Sequence, residues 1–197
     1  MLRFSRAICA AVVALTIGAC SPVSVVNTGD FIQTAAPAPP APSLPANNVN
    51  LLNAFDYFAR TGSQAGYYFT TPSGRWRCAI LARLKAGCQT ASGSDIGIAG
   101  EPKTVTDAHG QSTAPNTIVV DYNGAGGRFA ALDRAEFTSP AGPAKPLPFN
   151  KVLAAAGFRC NAGESGVSCG SESTGQGFTF SAEGYTFRYT DVPANPR

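Results

Sequence analysis

Histidine is almost missing from this chain, and so is charge: His109 stands alone among 197 residues, and only 14% are Asp, Glu, Lys or Arg. A single imidazole with no Cys-x-x-Cys spacing anywhere excludes the usual zinc-ligand patterns, and neither a metal nor a cofactor is expected. The longest apolar run, Ala7 to Ile17, is too short to span a hydrocarbon core of about 30 Å. No Gly-Lys-Ser/Thr phosphate loop is present. What is plentiful is glycine and proline, 21 and 15 residues. That balance favours short strands and many turns over long solvated helices. The chain should fold as one β-rich domain: a small antiparallel sheet structure built from hairpins, with one or two short helices.

The N-terminus has the order of a secretory signal, Arg3 and Arg6 followed by the apolar stretch. It closes on Ile17-Gly18-Ala19-Cys20. This tetrapeptide resembles the lipobox of bacterial lipoproteins, and the resemblance implies cleavage after Ala19 and a diacylglyceryl group on Cys20. The expected organisation is a signal peptide over 1–19, a lipidated Pro/Ala-rich tether over 20–48 and a single domain over 49–197. The implied location is the cell membrane, lipid-anchored and facing away from the cytoplasm. Loss of the two signal arginines lowers the formal charge from +3 to +1. Such a near-neutral chain does not have the electrostatic footprint of a nucleic-acid binder. In the tether, Pro37, Pro39, Pro40, Pro42 and Pro45 favour a stiff polyproline II spacer at about 3.1 Å per residue.

Six cysteines divide by position. Cys9 lies inside the signal, Cys20 is the lipid site, and Cys78, Cys88, Cys160 and Cys169 remain for two disulfides in an exported, oxidising setting. Four cysteines allow three connectivities. The short separations favour Cys78 with Cys88 and Cys160 with Cys169, each inside a hairpin.

Along the domain, Leu51, Leu52, Phe55, Phe58 and Ala59 approach helical spacing with Asn48 or Asn50 as cap, which predicts a short helix with Phe55 and Phe58 in the core. Tyr67 to Thr70, the turn Thr71-Pro72-Ser73-Gly74, and Arg75 to Ile80 predict two strands, with Trp76, Cys78 and Ile80 facing inward. The stretch 91–116 reads as a long surface excursion carrying His109. Thr117 to Tyr122 and Arg128 to Leu132 predict a hairpin around Gly124, Gly126 and Gly127. Asn150 to Ala156 predicts a second short helix stopping at Gly157. Phe178 and Phe180 should meet Tyr185, Phe187 and Tyr189 across a last hairpin.

Two stretches are similar to a family of exported actinobacterial proteins of unknown function. One is Phe69-Thr70-Thr71-Pro72-Ser73-Gly74 with Cys78; the other is Cys160 with Gly166-Val167-Ser168-Cys169, Gly175, Gly177 and Phe178. The resemblance covers about a third of the chain after Cys20 and supports the fold and the disulfides. It brings no catalytic residues.

No catalytic residue emerges from the residues themselves. Gly163-Glu164-Ser165-Gly166 is followed at the fifth position by Val167 rather than glycine, leaving His109 without a recognisable serine partner. A glycosidase needs two carboxylates about 5–9.5 Å apart, and no pair such as Asp121 with Asp133 stands out. The chief irregularity is one of charge. Arg60, Arg75, Arg77, Arg83 and Lys85 fall between Tyr57 and Ser94 with no acid among them. Arg75, Trp76, Arg77, Arg83 and Lys85 are therefore candidates for a strip that takes anionic headgroups or wall polymers. The alternative is a solvated face neutralised by Glu164, Glu172 or Glu183. The expectation is a non-enzymatic envelope lipoprotein that binds a polymer or protein partner; the rival is an envelope or cell-wall hydrolase.

Overall fold

The computed structural model describes residues 48–61, 64–132 and 136–194. The expected signal, Cys20, nearly all of the expected tether and Asp133 lie outside the described residues. Alternation of apolar and small residues between Gly- and Pro-bearing turns produces fourteen strands among the described residues. The first eight are β1 (Phe58–Thr61), β2 (Gln64–Thr70), β3 (Trp76–Leu81), β4 (Lys85–Thr90), β5 (Val105–Thr106), β6 (Ser112–Thr113), β7 (Thr117–Asp121) and β8 (Gly127–Ala130). They are followed by β9 (Lys145–Pro146), β10 (Lys151–Ala155), β11 (Phe158–Gly163), β12 (Gly166–Ser171), β13 (Gly177–Ser181) and β14 (Gly184–Thr186).

The strands form two main sheets and a ribbon. The larger sheet runs β1-β2-β3-β4-β7-β8, with β9 parallel to β2, and the smaller is the meander β10 to β14; β5 and β6 pair separately. Their inward residues share one core. Phe69, Cys78, Cys88, Ile118 and Phe129 lie in one cross-strand row of the larger sheet. Leu153, Cys160, Cys169 and Phe178 form the matching row of the smaller. All nine belong to the same buried cluster. Trp76 meets Phe180 edge-on, with ring centroids 5.0 Å apart. Each fully buried phenylalanine contributes on the order of 2–3 kcal/mol by leaving water, so these rows dominate the packing of the two sheets.

Both disulfides follow from register. Cys78 lies directly opposite Cys88 and Cys160 opposite Cys169, each pair with a Cα–Cα distance of 4.1 Å. Directly opposed side chains on one face of an antiparallel pair project together, which is the geometry a bridge needs.

Four expectations are corrected. Only one 3₁₀ turn forms near the start, Ala54–Tyr57, capped by Asn53, whose Oδ1 accepts from Phe55 N at 3.2 Å. A longer helix loses to sheet pairing, because Asn50 and Leu52 bond with Val152 at the edge of β10. Tyr57 is then the buried aromatic, whereas Phe55 is 83% exposed and Phe58 41%. The second helix is absent as well. Asn150 sits at φ 58°, and Ala156 and Gly157, both with positive φ, form the turn between β10 and β11. A two-residue turn of that handedness matches the twist of a hairpin, so Lys151–Ala155 pairs as a strand.

The stretch 91–116 is only partly surface. Ile96 and Ile98 are buried, and Trp76 Nε1 donates to Ile96 O at 3.3 Å. Tyr189, finally, is not part of the last hairpin. β14 ends at Thr186, and Tyr189 lies against Gly170 and Gly177 on the outer face of the smaller sheet.

Candidate functional site

The hairpin between β7 and β8 carries a concave site among the described residues. Asp121 ends β7 and its carbonyl accepts from Gly124 N at 3.1 Å, closing the turn. A Cβ on Gly127 would fall 2.8 Å from Gly177 O, 2.8 Å from Phe187 Cδ1 and 2.9 Å from Phe178 Cβ. Glycine there lets the two sheets approach at the rim. Between them opens a pocket of about 370 Å³, lined by residues 124–127 together with Asp121, Arg128, Gln176 and Phe187.

The polar wall is a fork. Arg128 donates through Nε and Nη2 to Asp121 Oδ2, at 3.1 and 2.8 Å. Both side chains are partly open to solvent, so the pair adds at most about 1 kcal/mol to stability and its groups remain usable by a ligand. The apolar wall is a cluster of three packed rings. Phe187, 43% exposed, packs against Phe129 at 5.8 Å and Tyr185 at 5.1 Å, and Phe129 and Tyr185 meet at 4.7 Å. An aromatic ring opposite a carboxylate, a guanidinium and an amide suits a small ring with one apolar face and several hydroxyls. The volume is that of a small-molecule site rather than a protein groove.

The proposed basic strip is spread over the larger sheet. Arg75 lies 4.6 Å from the Trp76 ring centroid and donates to Gly97 O at 2.9 Å. Trp76 itself is buried in the core. Arg77 donates to Ala91 O and to Thr138 Oγ1. Lys85 pairs with Glu136 at 3.0 Å, an acid not among those expected to neutralise it, while Glu172 pairs with Arg159 at 3.6 Å. Arg83 is exposed on the β3–β4 turn at φ 54°. Tyr122 N donates to Leu84 O at 2.9 Å, so that turn adjoins the β7–β8 turn and the pocket.

The other sequence candidates stand apart. His109 is exposed in the β5–β6 turn, where Asp107 Oδ1 accepts from His109 N and Gln111 N, both at 2.8 Å. Ser165 lies in the β11–β12 turn. Among the described residues, no three His, Cys, Asp or Glu side chains are grouped to hold a metal ion, and no helix is long and apolar enough to cross a membrane.

Sequence reasoning did not single out Arg128, Gln176 or Phe187 as site residues. A usable signal was present: two glycine-rich connections, Asn123 to Gly127 and Gly175-Gln176-Gly177, which let two sheet rims meet. Compared with family models, with curated proteins and with solved structures, the chain matches none.

Proposed function

We propose that this chain is a lipid-anchored envelope protein, tethered through Cys20, whose disulfided β domain binds rather than transforms its ligand. The supporting observation is the pocket beside the β7–β8 turn, with Phe187 packed on Phe129 and Tyr185 and with its Asp121–Arg128 fork. The ligand class that suits those walls is a sugar unit of an envelope polymer, its apolar face on Phe187 and its hydroxyls toward Asp121, Arg128 and Gln176. Arg83 on the adjoining turn would favour polymers carrying acidic groups. One carboxylate, Asp121, lines the pocket, and its Oδ2 accepts from Arg128. A hydrolase would need a second acid or a nucleophile with its base at that place.

Titration of the full chain with a panel of soluble pentose, hexose and N-acetylhexosamine oligosaccharides tests the pocket. At least one should bind with a Kd of about 0.1–1 mM, weakened about tenfold or more by Phe187→Ala. Binding that survives this substitution unchanged removes the site, and hydrolysis of the bound oligosaccharide would replace the binding reading with the enzymatic one. The anchor is tested separately by the mass of the Cys20 peptide from cells, which should carry a diacylglyceryl adduct.

A further inference from the structure

Among the described residues, five of the seven exposed large apolar side chains lie along one edge of the domain. Residues 48–57 run from the edge of the smaller sheet to that of the larger. Leu51 bridges Val152 in parallel, which brings Val49 alongside the Phe149-Asn150 turn. Tyr57 Oη then donates to Pro146 O at 3.3 Å, and Phe58 begins β1 with its ring 5.5 Å from Tyr67. Here Phe55, Phe149 and Val49 are 83%, 62% and 76% exposed, and Leu51 and Phe58 are also open to solvent. Scattered surface apolar residues need no explanation, but five within one strap, the first residue of β1 and the turn beside them do.

The charges beside this edge are mainly basic. Arg60 is exposed two residues beyond Phe58, and Lys145 is exposed on β9, which continues the same side of β2 as β1. Lys151 is half-buried, its Nζ 3.4 Å from Asn50 Oδ1. Asp56 is the acid in the strap. Apolar rings flanked by amines are the composition of a surface that lies in the headgroup region of an anionic bilayer. The chain outside the described residues leads to the same place: residues 1–47, with the apolar run and Cys20, join the domain at Asn48, directly before Val49.

We infer that this edge, carried by Val49, Leu51, Phe55, Phe58 and Phe149, rests on the membrane surface and turns the domain into a peripheral membrane contact. It rests on the anchor reading for how the domain meets the bilayer, and it assigns the polyproline tether a role in reach rather than in holding the domain away. A lipid chain and a weak interfacial contact together make the two-signal attachment that a single acyl group cannot supply. The pocket, built on β7, β8, the β12–β13 connection and the residue after β14, is not part of this edge.

Hydrogen–deuterium exchange of the full chain with and without vesicles tests it. On vesicles of phosphatidylcholine with about one third phosphatidylglycerol, amides of residues 48–58 and 145–151 should exchange about fivefold or more slowly. Pure phosphatidylcholine should protect less. Phe55→Ser with Phe149→Ser should remove the protection while exchange in β3, β4, β11 and β12 stays unchanged, which shows that the variant is folded. No protection on anionic vesicles overturns the inference. Protection that instead grows with protein concentration in the absence of lipid also overturns it and makes the edge a contact between copies of the chain. An unmodified Cys20 peptide, by contrast, would remove the anchor and leave the vesicle result standing on its own.

Discussion

On the outer face of the larger sheet Phe137 lies over Gly87; on the outer face of the smaller sheet Tyr189 lies over Gly170 and Gly177. A Cβ on Gly87 would fall 2.7 Å from the Phe137 ring, and one on Gly170 would fall 2.9 Å from Tyr189 Cγ. Both faces thus use a glycine notch to seat an aromatic ring from a segment outside the sheet. Their surroundings differ. Phe137 joins Tyr68, Ala79, Leu81, Val119 and Ala130 in a second apolar cluster, with its N–H given to the buried Gln89 Oε1 at 3.1 Å. Tyr189 belongs to a polar strap. Asn161 Nδ2 donates to Tyr189 Oη and Thr190 O, Thr190 N donates to Ser168 Oγ, and Thr179 Oγ1 donates to Arg188 O. Apolar burial is non-directional and large in sum, whereas each satisfied hydrogen bond adds only about 0.5–1.5 kcal/mol and fixes a register. The first cover should therefore hold the domain together, and the second should position a tail.

The comparison breaks most readily at Phe137. Phe137→Ala should cost about 3–5 kcal/mol in chemical denaturation, since the ring is almost wholly buried and the sheet beneath cannot collapse onto the void. A loss under about 1 kcal/mol would mean that this face is not part of the cooperative core. The glycine notches should sort next. Gly87→Ala presses on Ile118 O at 2.7 Å as well as on Phe137, so backbone must move, and about 2–3 kcal/mol should be lost globally. At Gly170 all three nearest atoms belong to Tyr189. Gly170→Ala should then cost about 1 kcal/mol and show chiefly as faster amide exchange over residues 188–192. Equal global losses at both glycines would erase the distinction between core cover and positioned tail.

The hairpins around the cysteines were legible because period-two alternation and turn residues agree there. Trp76, Cys78 and Ile80 face inward as the alternation of β3 requires, and Gly74 takes its turn φ of 69°. Reading failed where a segment's role is decided by a remote partner. Lys151–Ala155 is short and alanine-rich, as compatible with a helical turn as with a strand; pairing with β11 and the Ala156-Gly157 turn decide it. Leu51 and Leu52 are likewise claimed by the edge of β10, leaving Phe55 and Phe58 outside the core. Ile96 and Ile98 are two isoleucines in polar sequence, and only the end of the sandwich beside Trp76 explains their burial. The pocket was least legible, since its walls come from β7, β8, the β12–β13 connection and the residue after β14. Alternation places a side chain on a face but does not say which rims meet.

Alkali gives the finest separation of the two covers. Burial first, and then the charge of Asp191, hold the Tyr189 phenol up at about 12, against an ordinary value of 10.0. Its Oη donates to Asp191 Oδ1 at 3.0 Å, so ionisation would set two anions together out of water. Below the unfolded value both states keep the proton, and the strap is at full strength. As pH rises from about 10 to 12 the unfolded chain gives up the proton first, and stability on the order of 2 kcal/mol drains away. Tyr57 and Tyr68 are also raised by burial and lose stability in the same direction, so the wild-type curve alone does not isolate the strap. The difference between wild type and Tyr189→Phe does. At pH 7 the substitution should cost only about 0.5–1.5 kcal/mol, because Asn161 Nδ2 keeps Thr190 O and Asp191 Oδ1 keeps Val192 N. Between pH 10 and 12 the gap should close or reverse, read from denaturant midpoints at each pH. Parallel curves would show that the phenol titrates as freely in the fold as out of it, and that the strap is held by the glycine notches rather than by its hydrogen bonds.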